Sequence, residues 1–218
     1  MRYKCLIMDH DDTVVDSTAS IHYPAFKDTL KKIRPDVDIS LDEFFKYNFS
    51  PGFIPFCKDI LGFNEEEMAF QYINWQKNVN SKIPNVFDGM KDFLWKFYNS
   101  GGTICVSSHS DSKNILKHYK YHKLPPIERI YGWELGDDKL KPNIYTVDSI
   151  RDELGFRSSE IAMVDDLKPG RVMANNAGID FIAVGWSHKI EEIEEYFRKN
   201  SKIYCESVSE LDSYIFKD

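Results

Sequence analysis

Four short apolar runs decide what this chain can fold into: Tyr3–Met8 (YKCLIM), Thr103–Ser107 (TICVS), Ile161–Val164 (IAMV) and Phe181–Trp186 (FIAVGW). None of them alternates with polar residues, so each predicts a strand covered on both faces, as in a parallel sheet. A weaker run at Arg129–Trp133 and a short one at Ile203–Cys205 predict one more strand and an edge. Helical patterns lie between the runs. Met90, Phe93, Leu94, Phe97 and Tyr98 share one helical face ahead of Gly101-Gly102, and Ile144, Val147, Ile150 and Leu154 share another ahead of Gly155. Strands alternating with helices imply right-handed crossovers and a doubly wound α/β core.

One stretch breaks the alternation. From Thr18 to Pro84 the patterns are helical, with Ser40 and Glu43 ahead of FFKY, and Asn64 and Glu67 ahead of a face carrying Met68, Tyr72, Trp75 and Val79. The chain is therefore expected to form an α/β core from residues 1–17 and 85–218 with an all-helical domain, 18–84, inserted into it. Asp16 and Ser17 are expected to open the insert and cap its first helix. Its aromatic residues are expected to pack a small helical core, except in Asn48–Cys57 (NFSPGFIPFC), where Pro and Gly predict a loop able to close over a site as a lid.

Composition narrows the partners. A net charge of -7 disfavours nucleic acid, which needs a basic surface, and 42% hydrophobic with 29% charged residues fits a folded, water-soluble chain. No apolar span has membrane length, no signal-type segment opens the chain, and the four cysteines lack metal-type spacing. These features predict a cytoplasmic protein with reduced, structural thiols, bound to neither membrane nor nucleic acid.

Ligands of such sheets bind at the carboxyl ends of strands. Asp9 and Asp11 follow the first strand and, two apart in extended chain, project to one side; Asp165-Asp166 follow IAMV. A single acidic pair also fits a helix cap or turn. Two pairs at one edge would repel strongly without a cation, and hard oxygen donors suit Mg²⁺. Ser107–Ser110 (SSHS) follows another strand and offers hydroxyls and N–H groups to an anion, while Lys141, before a helix expected to start near Pro142, brings positive charge.

In this order the motifs DHDDT, CVSS, KPNIY and VDDLKPG resemble those of the haloacid dehalogenase-like hydrolases, and the insert resembles the helical cap of the phosphoglycolate phosphatase and β-phosphoglucomutase branches. The resemblance implies Asp9 as the nucleophile that becomes an aspartyl-phosphate and Asp11 as general acid and base. It implies Mg²⁺ held by Asp9, the Asp11 carbonyl and Asp166, with Asp165 ligating or orienting a metal-bound water. Ser107 and Ser108 would bind the phosphoryl group and Lys141 would offset its charge. His10, His22 and His109 are candidate substrate contacts. Asp12 departs from the pattern by standing where Gly is usual, and Ile144 stands where a second Pro is frequent.

The expected function is a Mg²⁺-dependent phosphatase acting on a small phosphorylated metabolite. Two alternatives remain open: a phosphomutase of the same fold, and a non-catalytic phosphate sensor or receiver-like module.

Overall fold

The computed structural model describes residues 1–136 and 138–217. Its centre is a six-stranded parallel sheet built from β1 (Cys5–Met8), β2 (Thr103–Ser107), β3 (Arg129–Tyr131), β4 (Ile161–Asp165), β5 (Asp180–Val184) and β6 (Ile203–Cys205). The strand order is β3-β2-β1-β4-β5-β6, so the winding reverses at β1, between β2 and β4. The doubly wound α/β architecture is thus present, with every expected strand in it.

Between β1 and β2 the described chain carries helices: a π-helical turn at Thr18–His22 running into α1 (Tyr23–Ile33), then α2 (Leu41–Phe49), a single turn α3 (Phe53–Pro55) continuing as Phe56–Ile60, and α4 (Glu65–Ser81). These helices bury their own apolar cluster, which includes Phe26, Leu30, Phe44, Phe56 and Phe63. Both anticipated capping boxes form. Ser40 Oγ accepts from the Glu43 N–H at 3.2 Å while the Glu43 carboxylate accepts from the Ser40 N–H at 2.8 Å. Asn64 Oδ1 and the Glu67 carboxylate exchange the equivalent bonds at 2.9 Å each. Replacing Asn64 with Ala strands a helix-terminal N–H and is expected to lower stability by about 1 kcal/mol, measured by urea denaturation.

The rest of the chain supplies α5 (Met90–Asn99), α6 (Ser112–His122), α7 (Tyr145–Leu154), α8 (Lys168–Ala177), α9 (Glu191–Asn200) and α10 (Val208–Phe216). Alternate residues of β1 point to opposite faces of the sheet. Leu6 and Met8 pack with Phe93 and Phe97 of α5, Ile115 of α6 and Leu211 of α10, whereas Cys5 and Ile7 pack with Ile150 of α7, Met173 of α8 and Phe197 of α9. Three helices therefore cover each face, which is why no strand needs a polar side. All four cysteines are buried free thiols. Among the described residues no helix is long and apolar enough to cross a membrane.

The structure corrects four local expectations. α4 buries only part of the Met68, Tyr72, Trp75, Val79 face: Val79 is buried and Met68 packs on the insert's cluster, but Tyr72 is 43% exposed and the other buried residues are Gln71 and Asn74. The reason is polar. The Asn74 amide donates to Ala25 O and Thr29 Oγ1 of α1, each at 2.9 Å, and this pairing sets the rotation of the helix. Secondly, Asn48–Cys57 offers no exposed phenylalanine lid, since Phe56 is buried and Phe53 packs against Phe26 and Phe44, leaving Ile54 as its exposed apolar residue. Thirdly, α7 starts at Tyr145, with Pro142 in the turn before it. Lastly, Ser17 makes no side-chain cap: its hydroxyl is buried without a partner at the mouth of the π-helical turn.

The insert also touches the core through α2, an attachment that the sequence does not announce. Phe45 joins the cluster beneath α8 and α9, and Phe49 meets Tyr196 and Phe197 edge-on at 5.2 and 5.4 Å between ring centroids.

Candidate active site

The register of the central strands places their ends together. Met8 lies opposite both Val106 and Val164, so the residues that follow, Asp9, Ser107 with Ser108, and Asp165 with Asp166, emerge along one edge of the sheet. The Asp9 N–H still donates to Val164 O at 2.9 Å, which holds the first turn beyond β1 against β4.

Asp9, Asp165 and Asp166 are buried, and each offers a carboxylate oxygen within 4.8 Å of the other two. Lys141 stands among them, its ammonium donating to Asp9 Oδ1 at 2.8 Å and to Asp165 Oδ2 at 2.5 Å. Leu167 N–H occupies the other Asp165 oxygen at 2.7 Å, and Thr13 Oγ1 donates to Asp166 Oδ1 at 3.2 Å. Asp165 is thereby fixed from both sides, whereas Asp166 keeps one oxygen uncommitted among the bonds described. Gly170 permits the arrangement: a Cβ there would stand 2.1 Å from Asp165 Oδ2.

Burial governs the electrostatics. It pushes the Asp165 carboxyl up to about 7 despite Lys141, and it pushes Asp166 well above the usual carboxylate range, helped by the neighbouring charges of Asp9, Asp12 and Asp165. Burial would lower the Lys141 ammonium, but Asp165 and Asp9 outweigh it and raise the lysine, which stays charged. Three buried carboxylates around one ammonium form a site whose negative charge a divalent cation would neutralise. The donors are all carboxylate oxygens, a set that fits Mg²⁺ rather than a metal preferring sulfur or imidazole.

Asp11 sits at the border of this cluster. The Ser110 hydroxyl donates to its Oδ2, and His22 Nε2, reaching in from the helical insert, lies 3.4 Å from its Oδ1. Burial alone would raise the Asp11 carboxyl, but His22 and Ser110 outweigh it and hold it well below the usual range. Asp12 adopts the left-handed backbone that its position requires, at φ 59°, and its Oδ1 accepts the Thr18 N–H at 3.1 Å, tying the acidic loop to the first turn of the insert. Burial raises its carboxyl to about 7.

The other candidates are placed as follows. Ser107 and Ser108 are buried at the end of β2, with Ser107 Oγ 3.3 Å from Thr146 Oγ1 and Ser108 Oγ accepting from the Ser110 N–H. His109 Nε2 lies 3.0 Å from Lys141 O; since a carbonyl only accepts, this nitrogen bears the proton and the ring braces the lysine backbone. His10 is directed away from the insert: wholly buried, it places Nε2 3.0 Å from His118 Nδ1 of α6. The structure adds Ser110, Thr13, Trp75 and Gly170 to the site. In the sequence Ser110 belongs to SSHS, Thr13 to DHDDT and Gly170 to VDDLKPG, whereas Trp75 belongs only to a helical face.

With this geometry in view, one comparison with known proteins shows the family and another shows the fold. A model of the haloacid dehalogenase-like hydrolases matches residues 6–184 of the 218. No curated protein matches the sequence. Solved structures share the fold: a provisionally named haloacid dehalogenase-like hydrolase from Bacteroides fragilis superposes with TM-score 0.79 at 18% identity, covering 96% of this chain and 99% of that one. A predicted phosphatase from Clostridium acetobutylicum superposes with TM-score 0.77 at 20% identity, covering 99% of each chain. A provisionally named β-phosphoglucomutase from Bacteroides vulgatus gives TM-score 0.73 at 19% identity, covering 97% of this chain and 86% of that one.

Proposed function

The chain belongs to the haloacid dehalogenase-like hydrolases, and from that premise we propose that it is a Mg²⁺-dependent phosphatase of a small phosphorylated metabolite, working through an aspartyl-phosphate on Asp9. The observation that carries this reading is the buried set of Asp9, Asp165 and Asp166, with donor oxygens within 4.8 Å of one another, at the edge where ligands of such sheets bind.

In this reading Asp9 uses the oxygen that Lys141 does not hold to attack phosphorus, and the ester P–O bond breaks. The departing oxygen takes a proton from Asp11, which must acquire it as substrate binds, since in the free protein His22 and Ser110 hold this carboxyl well below the usual range. Water then attacks the phosphorus and gives a proton to Asp11; the bond to Asp9 breaks and inorganic phosphate leaves. Ser107 and Ser108 bind phosphoryl oxygens, and Lys141 balances charge on the nucleophile and in the transition state. Asp9, Asp166 and the Asp11 carbonyl would hold the metal, with Asp165 anchored by Lys141 beside them. When bound, Mg²⁺ shields the phosphate charge from the anionic nucleophile and polarises the phosphoryl group. Residues 18–84 act as a cap over a core made of 1–17 and 85–218, a division supported by the insert's own apolar cluster and by the reach of His22 to Asp11.

A panel of phosphorylated sugars, nucleotides and small acids assayed with Mg²⁺ is expected to include esters that release inorganic phosphate. Chelation should stop release and added Mg²⁺ should restore it. Isomerised substrate without free phosphate would identify a mutase instead, and a rate indifferent to chelator would contradict the metal assignment.

A further inference from the structure

Trp75 lies on the partly exposed face of α4, yet its indole N–H is not turned to water: it donates to His22 Nδ1 at 2.9 Å, with the two rings 6.1 Å apart and 29° from parallel. An indole nitrogen only donates, so His22 Nδ1 must present its lone pair, and the imidazole proton must sit on Nε2. Nε2 is the nitrogen that lies 3.4 Å from Asp11 Oδ1. Burial opposes a charge on His22 while Asp11 favours one, and the indole contact decides for the neutral ring, because a cationic imidazole would set two N–H donors against each other at Nδ1. With the proton fixed on Nε2, His22 directs a donor at one Asp11 oxygen while the Ser110 hydroxyl directs another at Oδ2. The carboxylate is then oriented in its proton-accepting form. The contact from His22 is long, of the kind that tightens once substrate is bound.

We propose that Trp75 is a positioning residue: through its N–H it selects the Nε2–H tautomer of His22, and so orients Asp11 to take the proton from the water that hydrolyses the aspartyl-phosphate. This rests on the phosphatase reading for the role of Asp11, whereas the tautomer itself does not depend on it. The balance of the step is simple. The water oxygen bonds to phosphorus, the Asp9–phosphorus bond breaks with its electron pair returning to Asp9, and the proton moves to Asp11. Trp75 and His22 exchange no proton in it. The consequence is selective: loss of the indole donor slows the second half of the reaction more than the first whenever the leaving group needs no protonation.

Two measurements test this. In metal-free protein with ¹⁵N-labelled histidine, His22, assigned by its absence in His22→Gln, should show a proton-bearing Nε2 and a lone-pair Nδ1. Trp75→Phe, which keeps a ring against His22 and removes the donor, should lose that fixed tautomer. In the Mg²⁺-loaded enzyme, Trp75→Phe acting on an activated aryl phosphate should show a burst of phenol ahead of phosphate. It should accumulate acid-trapped phosphoenzyme, and its steady-state kcat should fall on the order of tenfold. A wild-type His22 protonated at Nδ1, or a tautomer unchanged in Trp75→Phe, overturns the inference even if that variant folds poorly, because the first result needs only the wild type. A proportionate loss of both steps without accumulation also overturns it. Absence of phosphoenzyme from every variant, with the tautomer behaving as stated, would count against the phosphatase reading and leave the positioning of His22 standing.

Discussion

Replacing Lys141 with Met is expected to cost the metal-free protein about 3 kcal/mol of stability at pH 8 and markedly less at pH 5. The side chain removed is buried and donates to Asp9 and Asp165 together. Methionine fills comparable space, so the loss isolates charge from packing. The pH dependence follows from the direction of the Asp165 shift. Its carboxyl stands at about 7 in the folded chain, against roughly 3.9 for an unperturbed aspartate. Between those values the folded state holds a proton that the unfolded state has released, so stability declines as pH rises through the window. Without the ammonium the folded value climbs further, the window extends upward, and the deficit grows with pH. Denaturant unfolding of both proteins in chelator at pH 5 and pH 8 measures it. A deficit equal at the two pH values would mean that Lys141 acts through packing. With Mg²⁺ present, kcat on any ester the wild type turns over should fall by about 10²–10³, because a positive group beside the nucleophile is gone.

Much of this site is legible in the sequence because its parts are local. A strand buried on both faces must read as an unbroken apolar run, and β1, β2 and β4 each do; the residues just beyond them are then constrained to one edge. Asp9, Ser107, Asp165 and Asp166 are found by that rule alone, and the two capping boxes are found because their partners lie three residues apart. Contacts made across the fold leave no such trace. The rotation of α4 is set by Asn74 reaching α1, so hydrophobic periodicity places Val79 and Met68 correctly but misplaces Tyr72, and Trp75 passes for core when its N–H is donated to His22. Ser110 looks like one serine among several until β2 brings it to Asp11. His10 sits between two site aspartates in sequence, yet the loop turns its ring inward to His118, a partner more than a hundred residues away. Asp12 departs from the Gly of the family pattern and supplies instead a side-chain anchor for Thr18, which connects the acidic loop to the insert.

The second large effect concerns Asp9. Asn at this position keeps the size, the buried setting and a hydrogen-bond acceptor for Lys141, but an amide oxygen is a poor nucleophile toward phosphorus. Rate loss should be at least about 10³-fold, corresponding to roughly 4 kcal/mol of transition-state stabilisation. The substitution also removes one negative charge from a cluster already short of cations, so the fold should be retained and the metal-free protein should lose no stability. That combination separates a chemical role from a structural one.

The decisive measurement is therefore phosphate release by Asp9→Asn beside the wild type, both saturated with Mg²⁺ and both shown to be folded by their thermal transitions. Release that falls to the limit of detection in a variant at least as stable as the parent is the outcome this account predicts. Turnover within tenfold of the parent would contradict it, because the phosphoryl group would then be passing through an atom other than the Asp9 carboxylate.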